Sequence, residues 1–386
     1  MKGYIIFGGT GSIGVQSLEI IQSSNDKLLA FTFNNNLDKA LEIIEEFKPM
    51  VVGITNESFS QTIKDKYPYI TVLSNILEIV EYDYGQYDKV FINAVNGSAG
   101  LIPTYEVINH GYDILLANKE SLVISGEIIM SLAKEKNVKI IPIDSEHNGL
   151  AKILYGKDIR QVKKLIITAS GGALRDYSLE ELSNATANDA LKHPNWLMGK
   201  DITINCATMM NKGYEVIEAS YLFNLDLSKI DVIVHKESII HALVEFNDGT
   251  IEANLGNADM RNPINFAINY PNFINQNLST LDLIKIGQLN FKELDLKRYP
   301  CFSLALDAIN KNGYYPTILN AANEAAVKLF LENKIRYFDI YNIVKAMLEK
   351  HNEFELTKEE FTIKNILKLD SFIKQYVLDT MKGDDK

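Results

Sequence analysis

Cysteine is nearly absent from this chain, which has only Cys206 and Cys301 among 386 residues. Two cysteines cannot build a disulfide framework, and so low a thiol content suits a reducing compartment. Long apolar runs are missing as well. No uninterrupted stretch reaches the roughly 18 residues that a membrane-spanning helix needs. The first apolar run, Tyr4-Ile5-Ile6-Phe7 after Lys2, stops at Gly8-Gly9 and is too short for a signal peptide. Long basic runs are also lacking: 39 Lys and Arg stand against 50 Asp and Glu, a net charge of −11, which argues against nucleic acid as the main partner. These absences lead us to expect a soluble cytoplasmic protein. With 46% hydrophobic residues, the chain can bury a large core without disulfide or metal support. Its length suggests two or three domains.

Residues 1–144 alternate short β-branched runs with amphipathic segments. Strands are expected at 4–7, 28–33, 50–54, 70–73, 89–94, 113–116 and 139–143, and helices at 12–23, 37–47 and 120–135. Several of the strands lack polar alternation, as strands covered on both faces do. This order predicts an α/β fold whose N-terminal domain is a Rossmann-like doubly wound parallel sheet. Residues 145–273 change rhythm. Strands at 163–169, 230–234, 239–246 and 250–255, the last two joined by Asn247-Asp248-Gly249, and a helix at 206–220 predict a central α+β domain. Residues 274–300 show no clear period and read as a linker. Residues 301–386 predict a helical domain, with helices at 303–312, 317–332, 338–349 and 358–378.

Gly8-Gly9-Thr10-Gly11-Ser12-Ile13-Gly14 follows the first strand and opens a helix. Its glycines permit a tight turn and let a pyrophosphate approach backbone N–H groups, although such a run can also be only a turn. The end of the second strand, where an acid or a base separates NAD from NADP, reads Asn34-Asn35-Asn36 and leaves that choice open. Asp144-Ser145-Glu146-His147 ends the last strand of the first domain. If that segment is extended, residues at i and i+2 aim both carboxylates at one point. Glu215, on the 206–220 helix, offers a third. Three oxygen donors without a Cys or His cluster suit Mg²⁺ or Mn²⁺, or they are simply solvated carboxylates.

Lys119-Glu120 either contacts an anionic group or forms a helix-start charge pair. Ser170-Gly171-Gly172 resembles an anion nest and can equally be a turn. His193-Pro194-Asn195-Trp196-Leu197-Met198-Gly199 carries the single Trp, as a lid or as a loop anchor. His110, His147, His235, His241 and His351 show no metal spacing and read as structural or surface residues. Cys206 stands at an expected helix start, where a thiol pKa can fall, but no His lies near it in sequence. Cys301 reads as core.

In one order, residues 8–14, 117–123 (ANKESLV), 143–148 (IDSEHN), 170–172, 193–199 (HPNWLMG) and 207–215 (ATMMNKGYE) closely resemble the 1-deoxy-D-xylulose 5-phosphate reductoisomerase family. The resemblance runs from Lys2 through Asp259-Met260-Arg261-Asn262-Pro263 and, more loosely, through the C-terminus. It implies an NADPH- and divalent-metal-dependent enzyme of the non-mevalonate isoprenoid pathway. Its substrate would be a phosphorylated sugar, rearranged by retro-aldol and aldol steps and then reduced. By resemblance, Thr10, Gly11, Ser12, Ile13, Asn118, Glu120 and Gly199 contact the cofactor, with Asn34, Asn35 and Asn36 at its ribose end. Asp144, Glu146 and Glu215 bind one Mg²⁺ or Mn²⁺ per subunit. Lys119, Ser145, Glu146, Ser170, His193, Cys206, Asn211, Lys212 and Glu215 bind substrate, with Trp196 and Met198 on a lid; Lys119 and the three carboxylates are catalytic. A homodimer is implied too.

The chain departs from the family pattern at two places. Cys206 replaces a phosphate-binding Ser with a weaker donor, and Asn35 replaces a basic residue. Two other readings compete: a dehydrogenase of similar plan that performs no rearrangement, which would not need a metal, and a nucleotide sensor that has lost catalysis.

Overall fold

The computed structural model describes residues 1–196, 198–274 and 278–383. It forms two compact units. The first comprises residues 1–118, 129–148 and 259–279, and the second 119–128, 149–258 and 280–386.

The first unit is built on seven strands: β1 (Lys2–Phe7), β2 (Lys27–Phe33), β3 (Val51–Ile54), β4 (Thr71–Leu73), β5 (Asp88–Asn93), β6 (Ile114–Leu116) and β7 (Ile140–Pro142). They lie in the order β4-β3-β2-β1-β5-β6-β7, and every pairing is parallel. This is the doubly wound sheet that the sequence predicts. Tyr4, Ile5, Ile6 and Phe7 of β1 are each 0% exposed, so both faces of the central strand are covered and apolar residues are favoured at consecutive positions. Chain order reverses between β1 and β5, and in such sheets ligands bind beyond the carboxyl ends of the strands at that point.

The helix Arg261–Asn269 belongs to this unit although it is distant in sequence. Its Ile264, Ala267 and Ile268 enter the same apolar core as Leu18 and Ile21 of the helix Ser12–Gln22. Lys2 Nζ donates to the Ile268 carbonyl at 2.7 Å, and Asn148 Nδ2 to that of Pro263 at 3.1 Å.

The second unit carries β8 (Val162–Ala169), β9 (Ile230–Val234), β10 (Ile240–Phe246), β11 (Ile251–Leu255) and β12 (Lys292–Glu293), in the order β11-β10-β8-β9-β12. Only β8–β9 is parallel; the other pairs are antiparallel. Gly249, at φ +85°, closes the β10–β11 hairpin. Four longer helices follow: Pro300–Lys311, Tyr315–Leu331, Tyr337–Glu349 and Ile363–Gly383. Pro300 and Pro316 sit in first turns, where a missing N–H costs nothing.

Three expectations need correction. The single helix expected at 206–220 is two, Lys200–Thr208 and Met210–Phe223, because Met209 between them is left-handed at φ 61°. The stretch 274–300 is not wholly irregular, since it holds a short helix, Leu283–Ile286, and the edge strand β12. The last helix starts at Ile363 rather than 358, because residues Glu355–Lys358 form a 3₁₀ turn and Thr362 Oγ1 accepts from the Asn365 amide at 3.3 Å. Among the described residues, no helix is long and apolar enough to cross a membrane.

Candidate active site

The carboxyl edge of the first unit gathers the glycine-rich turn and the ends of β5, β6 and β7. Gly8 is left-handed at φ +84°, and a Cβ there would lie 2.7 Å from the Ala94 carbonyl oxygen. At Gly14 a Cβ would fall 2.5 Å from the Gly8 carbonyl oxygen, so the helix can begin this close to β1 only without a side chain. Gly11 caps the helix Ser12–Gln22 without any side-chain hydrogen bond. First-turn amides left in this way are what a pyrophosphate uses at a helix N-terminus. Thr10, Gly11, Ser12 and Ile13 stand at this turn.

Asn34, Asn35 and Asn36 follow β2 and are all exposed. Two of them hold the loop itself. Asn35 Oδ1 accepts from Asn56 Nδ2 at 3.2 Å, and Asn36 Oδ1 caps the next helix by accepting from the Lys39 amide at 3.2 Å. Asn118 behaves similarly after β6: its Nδ2 donates to the carbonyls of Val95 and Gly97, at 2.8 and 2.9 Å, and anchors the loop after β5.

Asp144 follows β7, but the segment after it is not extended. The helix Ser145–Leu154 begins at once, with the Asn148 amide donating to the Asp144 carbonyl at 2.8 Å. The backbone is therefore helical and not extended, yet Asp144 and Glu146 still bring carboxylate oxygens within 4.8 Å of each other. Asp144 precedes the first turn and Glu146 lies within it, where negative side chains are favoured by the helix dipole. Ser145 Oγ donates to Glu146 Oε2 at 2.5 Å. His147, fully buried, places Nδ1 3.7 Å from Asp144 Oδ2.

In the second unit, the helix Met210–Phe223 is buried continuously from Met210 to Ala219. Asn211, Lys212 and Glu215 share one face of it by i+3 and i+4 spacing. Lys119 precedes the helix Glu120–Lys136, and its ammonium reaches the helix Met210–Phe223. It donates to Asn211 Oδ1 at 2.7 Å and to Glu215 Oε1 at 3.3 Å. Lys212 Nζ donates to Glu215 Oε2, and Asn211 Nδ2 to Glu215 Oε1. One carboxylate thus accepts from two buried ammonium groups.

Ser170 follows β8, before Gly171 and Gly172 at φ +85° and +74°. Its Oγ lies 3.0 Å from His193 Nε2 and accepts from the Gly172 amide at 3.2 Å. His193 Nδ1 accepts from the amides of Asn195 and Trp196 at 3.2 and 3.0 Å, so the ring proton of the neutral form sits on Nε2 and is donated to Ser170. Burial, then the nearby Arg175 guanidinium, push His193 from its ordinary 6.5 down to about 4. The unfolded imidazole therefore binds a proton that the folded one refuses. Stability is unaffected above pH 6.5 and declines as pH falls from there through about 4. Urea midpoints measured across that window should fall in the parent protein and flatten in His193→Gln; an equal slope in both would assign the acid limb to other groups.

Trp196 is half-buried, with its ring 6.0 Å from that of His241. Met198 is half-buried, Leu197 lies outside the described residues, and Gly199 caps the helix Lys200–Thr208. Cys206 falls in the last turn of that helix rather than at a helix start, which removes the dipole reason for a reactive thiol. Cys301 is buried, as expected. Sequence patterns gave no signal for Arg175 and offered Asn195 only as part of the 193–199 segment, because both act on backbone carbonyls through loop geometry. Asn195 Nδ2 donates to the Lys236 carbonyl at 2.6 Å and to Ser238 Oγ at 2.8 Å.

Three family models match in succession. The model of 1-deoxy-D-xylulose 5-phosphate reductoisomerase covers residues 4–126, that of its C-terminal domain 140–223, and that of the DXP reductoisomerase C-terminal domain 255–376. A 1-deoxy-D-xylulose 5-phosphate reductoisomerase of Macrococcus caseolyticus is 46% identical, over 91% of this chain and 94% of its own length. One of Clostridium botulinum is 44% identical over 98% of this chain and 100% of its own length. Among solved structures, a DOX-P reductoisomerase in complex with NADPH, fosmidomycin and magnesium superposes with a TM-score of 0.91 at 36% identity, covering 99% of this chain and 98% of the other. The Zymomonas mobilis enzyme in complex with NADPH gives 0.87 at 32% identity, covering 98% and 99%. By sequence along nearly its whole length, and by fold, the chain belongs to the 1-deoxy-D-xylulose 5-phosphate reductoisomerase family.

Proposed function

We propose that this enzyme converts 1-deoxy-D-xylulose 5-phosphate to 2-C-methyl-D-erythritol 4-phosphate, with NADPH and a divalent ion, in non-mevalonate isoprenoid precursor synthesis. The observation that carries the reading is the buried cluster of Lys119, Asn211, Lys212 and Glu215. The ammonium groups of Lys119 and Lys212 and the carboxamide of Asn211, the last two on a continuously buried helix, suit a small anionic substrate.

The residues fit both cofactors. The uncapped first turn at Gly11, and glycines with no room for a Cβ, suit a dinucleotide pyrophosphate held through Thr10, Gly11, Ser12 and Ile13. Asn118, Glu120 and Gly199 are the further contacts we assign to NADPH, with Asn34, Asn35 and Asn36 towards its ribose. Asp144, Glu146 and Glu215 offer only carboxylate oxygens, a donor set for Mg²⁺ or Mn²⁺ rather than zinc. A bound divalent ion supplies Lewis-acid polarisation of the substrate ketone, and NADPH supplies the hydride.

The chain's own groups then bind and orient. Ser170, Cys206, Asn211 and Lys212 are assigned to the phosphate, whose binding energy positions the reacting carbons. Cys206 contributes a weak donor there, which leaves more of that load on its neighbours. Lys119, Ser145 and Glu146 are assigned to the sugar oxygens, His193 to substrate through Ser170, and Trp196 and Met198 to covering it from water. We assign the cofactor role to residues 1–144, catalysis to 145–273 and support to the helical residues 301–386 beyond the 274–300 stretch. A cytoplasmic homodimer completes the proposal.

The test is NADPH oxidation with 1-deoxy-D-xylulose 5-phosphate, with and without chelator. Turnover should vanish with the chelator and return with Mg²⁺ or Mn²⁺. Turnover indifferent to the chelator would replace this reading with a simple dehydrogenase, and the absence of both turnover and binding would leave a nucleotide sensor.

A further inference from the structure

The carbonyls of the segment 170–174 are held by side-chain donors. Arg175 Nη1 donates to the carbonyl oxygens of Ser170 and Lys236, both at 3.0 Å. Tyr299 OH donates to the Gly171 carbonyl at 2.9 Å. Arg298 Nη2 donates to the Leu174 carbonyl, and its Nε meets Tyr299 OH at 3.3 Å. The Lys236 carbonyl also accepts from Asn195, two residues beyond His193. One carbonyl therefore ties the loop carrying Ser170 to the loop carrying His193.

The hydroxyl of Ser170 shows what this clamp accomplishes. Its oxygen accepts from His193 Nε2–H and from the Gly172 amide, which occupies both lone pairs. The hydroxyl hydrogen is thus left to be donated outward. Gly171 and Gly172 are both left-handed, a backbone shape that an unheld loop would lose readily. Tyr299 is 5% exposed, so its hydroxyl occupies one defined place.

We propose that Arg175 and the Arg298–Tyr299 pair are positioning residues for phosphate recognition: by engaging the carbonyls of Ser170, Gly171 and Leu174, they hold Ser170 as a committed hydrogen-bond donor to an anion. This rests on the reading of Ser170 as a substrate-phosphate contact and adds a support system to it. Arg175 further adds fixed positive charge close to His193.

Tyr299→Phe and Arg175→Lys test it, each checked for folding by circular dichroism. On 1-deoxy-D-xylulose 5-phosphate, each should lower kcat/KM about tenfold, mainly through KM, the effect of roughly one charge-assisted hydrogen bond. On 1-deoxy-D-xylulose, which lacks the phosphate, the same variants should stay within about twofold of the parent. Combined with Ser170→Ala, their effects should be strongly less than additive. Equal losses on both substrates, or additivity with Ser170→Ala, would overturn the proposal. A readout independent of turnover is the fluorescence of Trp196, the single tryptophan, titrated with inorganic phosphate. Weaker phosphate binding in the variants supports the clamp even if the parent turned over no substrate, in which case only the assigned reaction would fall. Unchanged phosphate binding in both variants sinks the clamp and leaves the reaction standing.

Discussion

Glu215→Gln is expected to lower folding stability by about 3–5 kcal/mol and to remove nearly all metal-dependent turnover, because breaking a buried ion pair from one side strands the remaining charge. Here two ammonium groups would each lose a carboxylate acceptor. Glu215 is 1% exposed, and it accepts from Lys119 and Lys212, which are 5% and 4% exposed. A neutral amide can still accept hydrogen bonds, but it removes one negative charge from beside two ammonium groups in a poorly solvated place. Urea unfolding would measure the loss. Adding Lys119→Met should recover part of the stability and none of the activity, since removing one ammonium lessens the charge imbalance but does not restore the carboxylate. A Glu215→Gln protein as stable as the parent would mean that other partners hold the two ammonium groups.

The second large effect is expected from Gly172→Ala. Gly172 has φ +74°, a region where a Cβ is strained by about 1–3 kcal/mol. The added carbon would also lie 2.7 Å from the Cys206 carbonyl oxygen and 2.7 Å from Ala207 Cα. Both are backbone atoms at the end of the helix Lys200–Thr208, so no flexible side chain can yield. Overpacking of this kind costs about another 1–3 kcal/mol. Part of the strain would be relieved by moving the loop that bears Ser170, so KM for the phosphorylated substrate should rise along with the loss of stability. Thermal unfolding and steady-state kinetics together check this. An unchanged KM in a destabilised protein would show that the helix moves and the loop does not.

Much of the fold was legible because periodicity reports burial. All seven strands of the parallel sheet were recognisable in the sequence to within about two residues, since buried runs such as Tyr4–Phe7 have no other plausible use in an alternating chain. The errors arose where tertiary contact overrides local pattern. Residues 206–220 read as one helix because Met209 has no intrinsic preference for φ 61°; the packing around it imposes the break. Asp144 and Glu146 read as an extended pair because the helix start at Ser145 carries no strong signal in a segment expected to continue a strand.

The sequence by itself determined the strand and helix order, the glycine turn at the first strand's end, and the ordered motifs that resemble one enzyme family. These are local properties, set by side-chain period, backbone freedom and residue identity over a few positions. Only the tertiary structure decided that Lys119 meets Asn211, 92 residues away. The same is true of the packing of Arg261–Asn269 beside the first helix, and of Arg175, Arg298 and Tyr299 closing on the carbonyls of one loop. A carbonyl looks the same at every position of a sequence, so which one receives a buried donor is settled only when the chain has folded.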